Sequence, residues 1–437
     1  MEWQFVLILI ISVLFILMLS GMPIGFCFLL ICVGGMYIYF GGGIGLEQLI
    51  ISIYTTTNSF ILLPIPLFIL MGEVMFHSGI APVLIKVVDK WLGRLPGRLG
   101  LLAVGAGTLF STLTGTSMAS VAMLGSVLAP EMEKQGYKKP MSLGPILGSG
   151  GIAMMIPPSS LAVLLGAIAE VSIGRILIAI IIPGLVMAVL YAAYIIIRCW
   201  LQPSIAPSYE LEVVTKSEKI RDLVKYVLPQ GIVIFLVIGV IFLGVATPSE
   251  AAATGSVGTI ALAFLYRRMN WDVFKKSIIG TLSVSGMIFL IIAGATAFSQ
   301  ILAFSGATNG LSDIVMNLQL PPTVIIFIMM GIVLFLGSFM DVVAIMMITL
   351  PIFIPVVKSL DYNTVWFSVL FLLNLEMAMT TPPFGMSLFV MKGVAPEDTK
   401  MMDIYTAGLP FLGLDLIVMI FIIFFPPLAL WLPTFMQ

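Results

Sequence analysis

Apolar runs of about 20 residues follow one another along almost the whole of this 437-residue sequence. A run of that length crosses the hydrocarbon core of a bilayer, about 30 Å thick, as a single helix. Hydrophobic residues make up 60% of the chain, charged residues make up 9%, and the mean hydropathy is +1.18. Soluble globular domains do not have this balance. The sequence therefore predicts an all-α integral membrane protein with roughly ten to twelve crossings or re-entrant segments.

The loops between the apolar segments are too short to fold as separate domains. The longest, 201–226, contains Pro203 and Pro207 with acidic and basic residues, and we interpret it as a solvated linker between two halves. Gly21-Met22-Pro23 leaves open whether 4–40 is one bent crossing or two. The predicted segments are 4–20, 23–40, 49–77, 99–130, 143–168, 174–198, 227–245, 250–266, 277–303, 321–357, 363–391 and 403–432.

The polar residues exclude several classes of protein. The net charge is −1 and the basic residues are scattered among short loops, so no basic face for nucleic acid is present. Cys27, Cys32 and Cys199 lie in or beside apolar runs, which indicates neither a disulfide nor a metal site. His77 has no second ligand at metal-binding spacing, and we interpret it as a packed or helix-end histidine.

Basic residues concentrate in four loops, which the positive-inside rule places in the cytoplasm. The loops around 304–320 and 358–363 carry almost no basic residue, which predicts the opposite side. The long segments 99–130 and 321–357 each begin and end on one side, so we predict two re-entrant hairpins, the first from the cytoplasm and the second from outside. The four basic groups are Lys86, Lys90, Arg94 and Arg98; Lys134, Lys138 and Lys139; Arg198 through Lys225; and Arg267, Arg268, Lys275 and Lys276.

Similar local patterns recur at an offset of about 225 residues. Five predicted crossings lie between the two hairpins, and an odd number inverts the second copy. An inverted-topology repeat is typical of secondary transporters, whose substrate and ions bind near the bilayer midplane at broken helices. The recurring pairs are Ser78-Gly79 with Ser305-Gly306, Pro130 with Pro355, and Pro157-Pro158 with Pro382-Pro383.

Four stretches interrupt the apolar pattern at corresponding places in the two halves. Two prolines in succession open a helix and release backbone carbonyls, which suit Na⁺ together with Ser and Thr hydroxyls. The helix N-termini formed at the same breaks suit a carboxylate. A proline pair can also kink a helix for packing alone, and that reading stays open. The stretches are Thr112 to Ser120, Gly148 to Ser160, Gly337 to Asp341, and Asn374 to Gly385.

Carboxylates inside apolar segments are candidates for function because charge is costly there. Asp341 lies at the second hairpin tip, where it could hold a cation or cap the following helix. Glu376 is a weaker candidate, and Glu73 reads as a solvated carboxylate near a helix end. Glu250 follows Thr247-Pro248-Ser249, which predicts a capping role. The neighbours of Asp415 are not predicted. No nucleophile with a base and no phosphate-binding loop occurs, so we predict that the chain is not an enzyme.

At these residues the chain resembles the large membrane subunit of TRAP (tripartite ATP-independent periplasmic) transporters, over nearly its whole length. One departure is Ser120, where the family pattern would lead us to expect an acidic residue. The motifs that carry the resemblance are Pro64 to Glu73, Ser78-Gly79-Ile80, Thr114 to Ser117, Ile156-Pro157-Pro158-Ser159, Gly337 to Asp341 and Thr381-Pro382-Pro383-Phe384-Gly385.

The resemblance implies an inverted-repeat, elevator-type transporter with two re-entrant helical hairpins, coupled to Na⁺ and located in the bacterial inner membrane. It implies two protein partners, a small four-helix membrane subunit and a periplasmic substrate-binding protein, and no organic cofactor. Its substrates would be small organic anions such as dicarboxylates, sialic acids or keto acids.

In this family the hairpin tips and the unwound helices form the sodium sites. Carried onto this sequence, the sodium-binding candidates are Thr114, Gly115, Thr116, Ser117, Ile156, Pro157, Ser159, Gly337, Ser338, Met340, Asp341, Thr380, Thr381, Pro382 and Gly385. The candidates for contact with substrate are Ser117, Ser120, Ser159, Ser160, Asn374 and Thr381.

The predicted division follows from the segments and the resemblance together. The transport domain comprises 99–168 and 304–402, each with one hairpin and one broken helix. The scaffold comprises 1–98 and 169–303, and 403–437 is a C-terminal helix. Two other functions stay open: a self-sufficient sodium–dicarboxylate symporter or cation–proton antiporter, and, in a different class, an ion channel or membrane scaffold.

Overall fold

A computed structural model describes residues 3–93, 95–114, 117–207, 215–317 and 320–436. Within these ranges the chain is built from helices and contains no strand. The first half contains α1 (Trp3–Leu19), α2 (Ile24–Tyr39), α3 (Gly43–Thr57), α4 (Pro64–His77), α5 (Ala81–Leu92), α6 (Arg98–Thr114), α7 (Ser117–Lys134), α8 (Lys139–Met155), α9 (Ser160–Ile168), α10 (Ile173–Ala179) and α11 (Ile181–Leu201).

The second half starts with α12 (Lys216–Asp222), α13 (Leu228–Ile234) and α14 (Val240–Phe242), which two π-helical turns join into one helix over Lys216–Phe242. The remaining helices are α15 (Pro248–Leu265), α16 (Trp271–Phe304), α17 (Ala307–Asn317), α18 (Pro322–Gly337), α19 (Val342–Ser359), α20 (Thr364–Thr380), α21 (Met386–Val394), α22 (Met401–Phe424) and α23 (Pro427–Leu430).

Six helices in the described ranges are long and apolar enough to cross a membrane, and the pair α8 and α9, bent by 46°, makes a seventh candidate. Several shorter apolar helices accompany them. The chain is therefore a multi-pass membrane protein, as predicted. The six are Phe60–His77, Ile173–Leu201, Lys216–Phe242, Trp271–Phe304, Val342–Ser359 and Met401–Phe424.

Two helices are centres of packing. The 34-residue helix α16 packs against α2, α3 and α4, and α15 joins this group through α4. In the other group α6, α7, α11, α20 and α22 pack around α8, which is buried from Met141 to Met155. Glycines on α8 permit the approach, because a Cβ at Gly148 would lie 3.0 Å from the Phe411 ring carbon Cγ on α22.

The predicted repeat is visible in the order of the helices. In each half a pair of consecutive helices is followed by a helix interrupted at a Pro-Pro pair: α6 and α7, then α8 and α9, and later α18 and α19, then α20 and α21. Pro157-Pro158 and Pro382-Pro383 both have cis peptide bonds. Gly79 and Gly306 both have positive φ, 64° and 76°, which glycine adopts without strain. The two halves therefore repeat one local architecture.

Two predicted boundaries differ from the structure, and one question that the sequence left open is resolved. Segment 49–77 is not one helix, because α3 ends at Thr57 and α4 begins at Pro64, a residue type favoured in the first turn of a helix. Region 4–40 is two helices, α1 and α2, separated at Gly21, where φ is 82°. Linker 201–226 is partly helical, because α12 begins at Lys216 behind the capping hydroxyl of Thr215.

Candidate functional site

A cavity of about 540 Å³ lies where the two hairpins, the two broken helices and the α4–α16 wall meet. All four stretches singled out in the sequence contribute to its lining. The residues from the hairpins and broken helices are Ser117, Met118, Ala119, Met154, Pro158, Ser160, Leu161, Asp341, Val342, Val343 and Met379. Those from α4 and α16 are Phe68, Ile69, Met71, Gly72, Glu73, Phe76, His77, Val284, Met287 and Ile288.

The first half contributes hydroxyl groups that lie at helix starts. Ser117 is the first residue of α7, and its hydroxyl lies 3.4 Å from that of Ser387 on α21. Ser159 caps α9 by accepting a hydrogen bond from the Ala162 amide at 3.3 Å, and Ser160, the first residue of α9, lines the cavity. Helix N-termini with unpaired amides favour a negatively charged ligand. The first half can therefore offer both hydroxyl oxygens and helix dipoles to ligands.

The second half contributes a carboxylate at the corresponding position. Asp341 caps α19, accepting a hydrogen bond from the Ala344 amide at 3.3 Å, and it also lines the cavity. The predicted capping role of Asp341 is confirmed, and its role as a cation ligand stays a prediction. Glu250 likewise caps α15 in a reciprocal pair with Thr247, as predicted.

On the α4–α16 wall a histidine and a glutamate contact each other, a pairing that the sequence did not connect with the site. His77 Nε2 lies 3.2 Å from Glu73 Oε2, one helical turn away on α4. The Glu73 carboxylate fills the place that a side chain would occupy at Gly280 on α16. His77 lies in the last turn of α4, as predicted, but Glu73 is not a freely solvated carboxylate. The spacing of four residues was the available signal, because it places both groups on one helix face.

Several predicted site residues lie beside the cavity without lining it. Thr380 and Thr381 donate hydrogen bonds to the Met377 carbonyl at 3.1 and 2.6 Å, at the end of α20. Asn374 is buried and donates to the Met330 carbonyl of α18 at 2.6 Å. The rest are positioned around the same breaks: Ser120 is buried on α7, Ile156 and Pro157 lie in the first break, Gly337, Ser338 and Met340 lie around the second tip, and Pro382 and Gly385 lie in the second break.

The extreme tip of the first hairpin falls outside the described residues. Gly115 and Thr116 belong to it, and so does the side chain of Thr114, whose backbone ends α6. The sodium-binding roles predicted for these three residues stay predictions.

A second group of polar side chains is buried behind the cavity. Glu376 on α20 is 1% exposed, lies beside Ser117 and Asp415, and has its Oε2 atom without a hydrogen-bond partner among the described residues. Tyr191 on α11 donates a hydrogen bond to the carboxylate of Asp415 on α22. No sequence signal connects these helices, because the three residues are far apart in the chain.

The donor set at the cavity is made of oxygen atoms. Ser117, Ser160 and Asp341 line it, and the breaks at 156–159 and 381–385 place backbone carbonyls outside regular helix. Oxygen ligands of this kind suit Na⁺, and unwound backbone at a helix break is a recurrent way of holding it in transporters. The residues present therefore fit Na⁺ chemically.

The fold and the cavity together define a class, the multi-pass helical membrane transporters with paired broken helices. The profile of the family described as "Tripartite ATP-independent periplasmic transporter, DctM component" matches residues 11–428. The chain belongs to this family, the large permease subunits of TRAP transporters. The resemblance found in the sequence is thereby confirmed.

Relatives with assigned names transport different acids. The chain is 30% identical to the C4-dicarboxylate TRAP transporter large permease protein DctM of Pseudomonas aeruginosa, over 89% of this chain and 90% of that protein. It is 29% identical to the isethionate TRAP transporter permease protein DctMQ of Oleidesulfovibrio alaskensis, over 86% of this chain and 59% of that protein.

Among solved structures, the YdaH transporter of Alcanivorax borkumensis is similar, with a TM-score of 0.65 and 14% identity. The match covers 93% of this chain and 98% of that one. At this identity the likeness concerns the fold alone, and the fold is that of a membrane transporter.

Proposed function

We propose that this chain is the translocating subunit of a sodium-coupled importer of small organic acids, in the bacterial inner membrane. A small four-helix membrane subunit and a periplasmic binding protein that delivers the substrate would complete the transporter. Membership of the TRAP family supports the partners and the class of substrate.

The charge of the cavity is the observation that carries the sodium coupling. Two carboxylates, Glu73 and Asp341, line it with the imidazole of His77, and no Lys or Arg side chain is found among the described lining residues. An anion that enters a partly dehydrated site with two carboxylates is disfavoured unless cations enter with it. Na⁺ at the oxygen donors of the hairpin tips and breaks would supply that compensation. Coupled binding of substrate and Na⁺ follows.

The division into two packing groups supports an elevator motion. Hairpins and broken helices pack around α8 and α20, and α4 and α16 belong to the other group. The cavity lies between them, so that a movement of the first group along the second would carry the bound ligand with it. We assign the hairpins and broken helices, α6 to α9 and α18 to α21, to the moving transport domain.

Reconstitution in proteoliposomes tests this function. The chain, the small subunit and the cognate binding protein would be combined, and uptake of succinate, isethionate, a sialic acid and pyruvate compared under inward sodium and potassium gradients. We expect uptake of at least one acid, dependent on the sodium gradient and on all three proteins. Uptake at full rate by the chain alone would identify a self-sufficient symporter, and large sodium-independent currents in planar bilayers would identify a channel.

A further inference from the structure

His77 is the only residue with a basic side chain among the described residues that line the cavity. It is also the only histidine of the chain. It lies on α4 and lines the same cavity as the hairpin residues Ser117 and Asp341. A cationic group there is placed to meet an acidic group of a ligand that occupies the cavity.

The ring of His77 is oriented by its neighbours. Glu73 Oε2 engages Nε2 at 3.2 Å, and the Phe76 ring meets the imidazole edge-on, with centroids 5.1 Å apart. Glu73 in turn is supported by α16, because its carboxyl carbon lies 2.6 Å from the position that a Cβ of Gly280 would take. This close approach requires glycine at position 280. The pair is therefore fixed to the wall, and the second ring nitrogen, Nδ1, has no hydrogen-bond partner among the described residues.

The two protonation states of such a ring behave oppositely toward an anion. In the charged imidazole both nitrogens donate hydrogen bonds, so that Nδ1 can donate to a carboxylate while Nε2 donates to Glu73. In the neutral ring with its proton on Nε2, Nδ1 presents a lone pair and repels a carboxylate. An imidazole changes between these states between about pH 5 and pH 8.

The other charged groups near this ring are few. Asp341 lines the same cavity, and Arg268 donates to the Gly79 carbonyl at 2.7 Å, just beyond the end of α4. The helices that pack on α4 are α6, α9, α15 and α16, and their charged residues, none of which lines the cavity, are Arg98, Glu250, Asp272, Lys275 and Lys276.

We propose that His77 binds the acidic group of the transported anion through Nδ1, with Glu73 positioning the ring, so that affinity for substrate falls as pH rises. This proposal rests on the proposed function, because it names the residue that recognises the organic acid in the same cavity. In this arrangement the anion is bound at the α4–α16 wall, and the cations that accompany it are bound at the hairpin tips.

The test uses the reconstituted transporter and the acid of the panel that gives the highest sodium-dependent uptake. KM and kcat are measured at pH 6 and pH 8 with the sodium gradient held constant. For the unchanged chain we expect KM to rise about tenfold over this range, the size of one lost charge-assisted hydrogen bond. His77→Gln is expected to show the high KM at both pH values with kcat changed less, and His77→Lys to keep a low KM at pH 8.

Lys276→Gln is the matched control, because Lys276 is exposed, pairs with Asp272 at 2.7 Å and does not line the cavity. It should keep the pH dependence of KM. If the His77 variants do not fold, the unchanged chain is treated with diethyl pyrocarbonate, which acylates imidazole, before reconstitution. We expect KM at pH 6 to rise, hydroxylamine to reverse the rise, and saturating substrate to prevent it.

The outcomes separate the two proposals. Sodium-driven uptake with the same pH dependence of KM in the unchanged chain and in His77→Gln, or with no effect of acylation, overturns the role of His77 and leaves the proposed function standing. If no acid of the panel is taken up under a sodium gradient at either pH, both the proposed function and this role fail.

Discussion

The Tyr191 hydroxyl on α11 donates a hydrogen bond to the Asp415 carboxylate on α22, and both side chains are buried. The two residues are separated by 224 positions in the sequence. A buried carboxylate that loses its hydrogen-bond donor retains the full cost of its desolvation. This bond therefore stabilises the contact of α11 with α22, beside α8, which is buried from Met141 to Met155.

Replacement of Tyr191 by Phe tests the strength of that contact. The ring is kept and the hydroxyl is lost, so Asp415 is left without its donor in an apolar interior. We expect a loss of about 1–3 kcal/mol of stability, seen as a lower unfolding temperature of the purified protein in detergent.

Tyr194→Phe is the matched control. The rings of Tyr191 and Tyr194 both pack edge-on against Phe411, with centroid distances of 5.1 and 5.4 Å, but the Tyr194 hydroxyl has no hydrogen-bond partner among the described residues. Equal unfolding temperatures for Tyr191→Phe and Tyr194→Phe would show that the bond to Asp415 contributes nothing.

Asp341 combines two roles that an asparagine can separate. Its side chain caps α19 through the Ala344 amide, and asparagine caps helices about as well as aspartate. Asparagine lacks the negative charge that a cation site at this hairpin tip would use. We expect Asp341→Asn to keep the unfolding temperature while the sodium concentration for half-maximal uptake rises at least about tenfold.

Asp341→Ala supplies the comparison, because it removes both roles. It should lose the sodium response and also about 0.5–2 kcal/mol of stability. If the sodium dependence of uptake is unchanged in Asp341→Asn, Asp341 caps α19 and does not bind the cation.

The sequence predicted the broken helices well because each break is encoded by residues close together in the chain. Pro157-Pro158 and Pro382-Pro383 interrupt hydrogen bonding wherever they occur in a helix. The sodium roles assigned around these breaks stay predictions. The separation of α3 from α4 was missed, because the apolar run over 49–77 outweighed the polar residues Thr55 to Ser59 that interrupt it.

Contacts between distant segments were beyond the reach of local patterns. Glu73 and His77 could be paired by their spacing, yet their place in one cavity with Asp341 depends on how α4 packs against α16. The partners of Asp415 and Glu376 depend in the same way on helix packing. Intramembrane carboxylates could be identified as candidates, but their neighbours could not.

Gly151 on α8 is required for the close approach of α20. A Cβ at this position would lie 2.6 Å from the Glu376 carboxyl carbon and 2.8 Å from its Cγ. Both helices are buried at this point, so neither the added methyl group nor the Glu376 side chain has room to move away. We expect Gly151→Ala to cost about 1–3 kcal/mol, measured as a lower unfolding temperature and a lower yield of monodisperse protein.

A double substitution tests the cause. With Glu376→Ala the side chain that would collide is shortened, so Gly151→Ala should cost markedly less in that background than in the unchanged chain. Gly393→Ala is the control, because a Cβ there meets no atom within 4 Å. A cost of Gly151→Ala that is the same with and without Glu376 would place the strain elsewhere on α8.

Lys139 joins the end of the first hairpin to the loop that follows α21. Its ammonium group contacts Glu133 at 2.6 Å, Asp398 at 3.0 Å and the Thr399 hydroxyl at 2.8 Å. We expect Lys139→Met to release the loop 395–400, raising its amide hydrogen exchange at least about fivefold at neutral pH. Lys138→Met is the control, because the neighbouring Lys138 makes no ion pair among the described residues.

The same contact sets a pH dependence. The hydrogen bond from Lys139 lowers the pKa of Asp398 below its ordinary value of about 3.9. A carboxylate whose pKa is lowered in the folded state stabilises that state at pH values above its ordinary pKa. This stabilisation is lost as the pH falls through the lowered pKa. After correction for intrinsic exchange rates, the difference in amide hydrogen exchange of loop 395–400 between the unchanged chain and Lys139→Met should be constant from pH 5 to 8. It should shrink below about pH 4. A difference that persisted undiminished at pH 3 would mean that Lys139 holds the loop without Asp398.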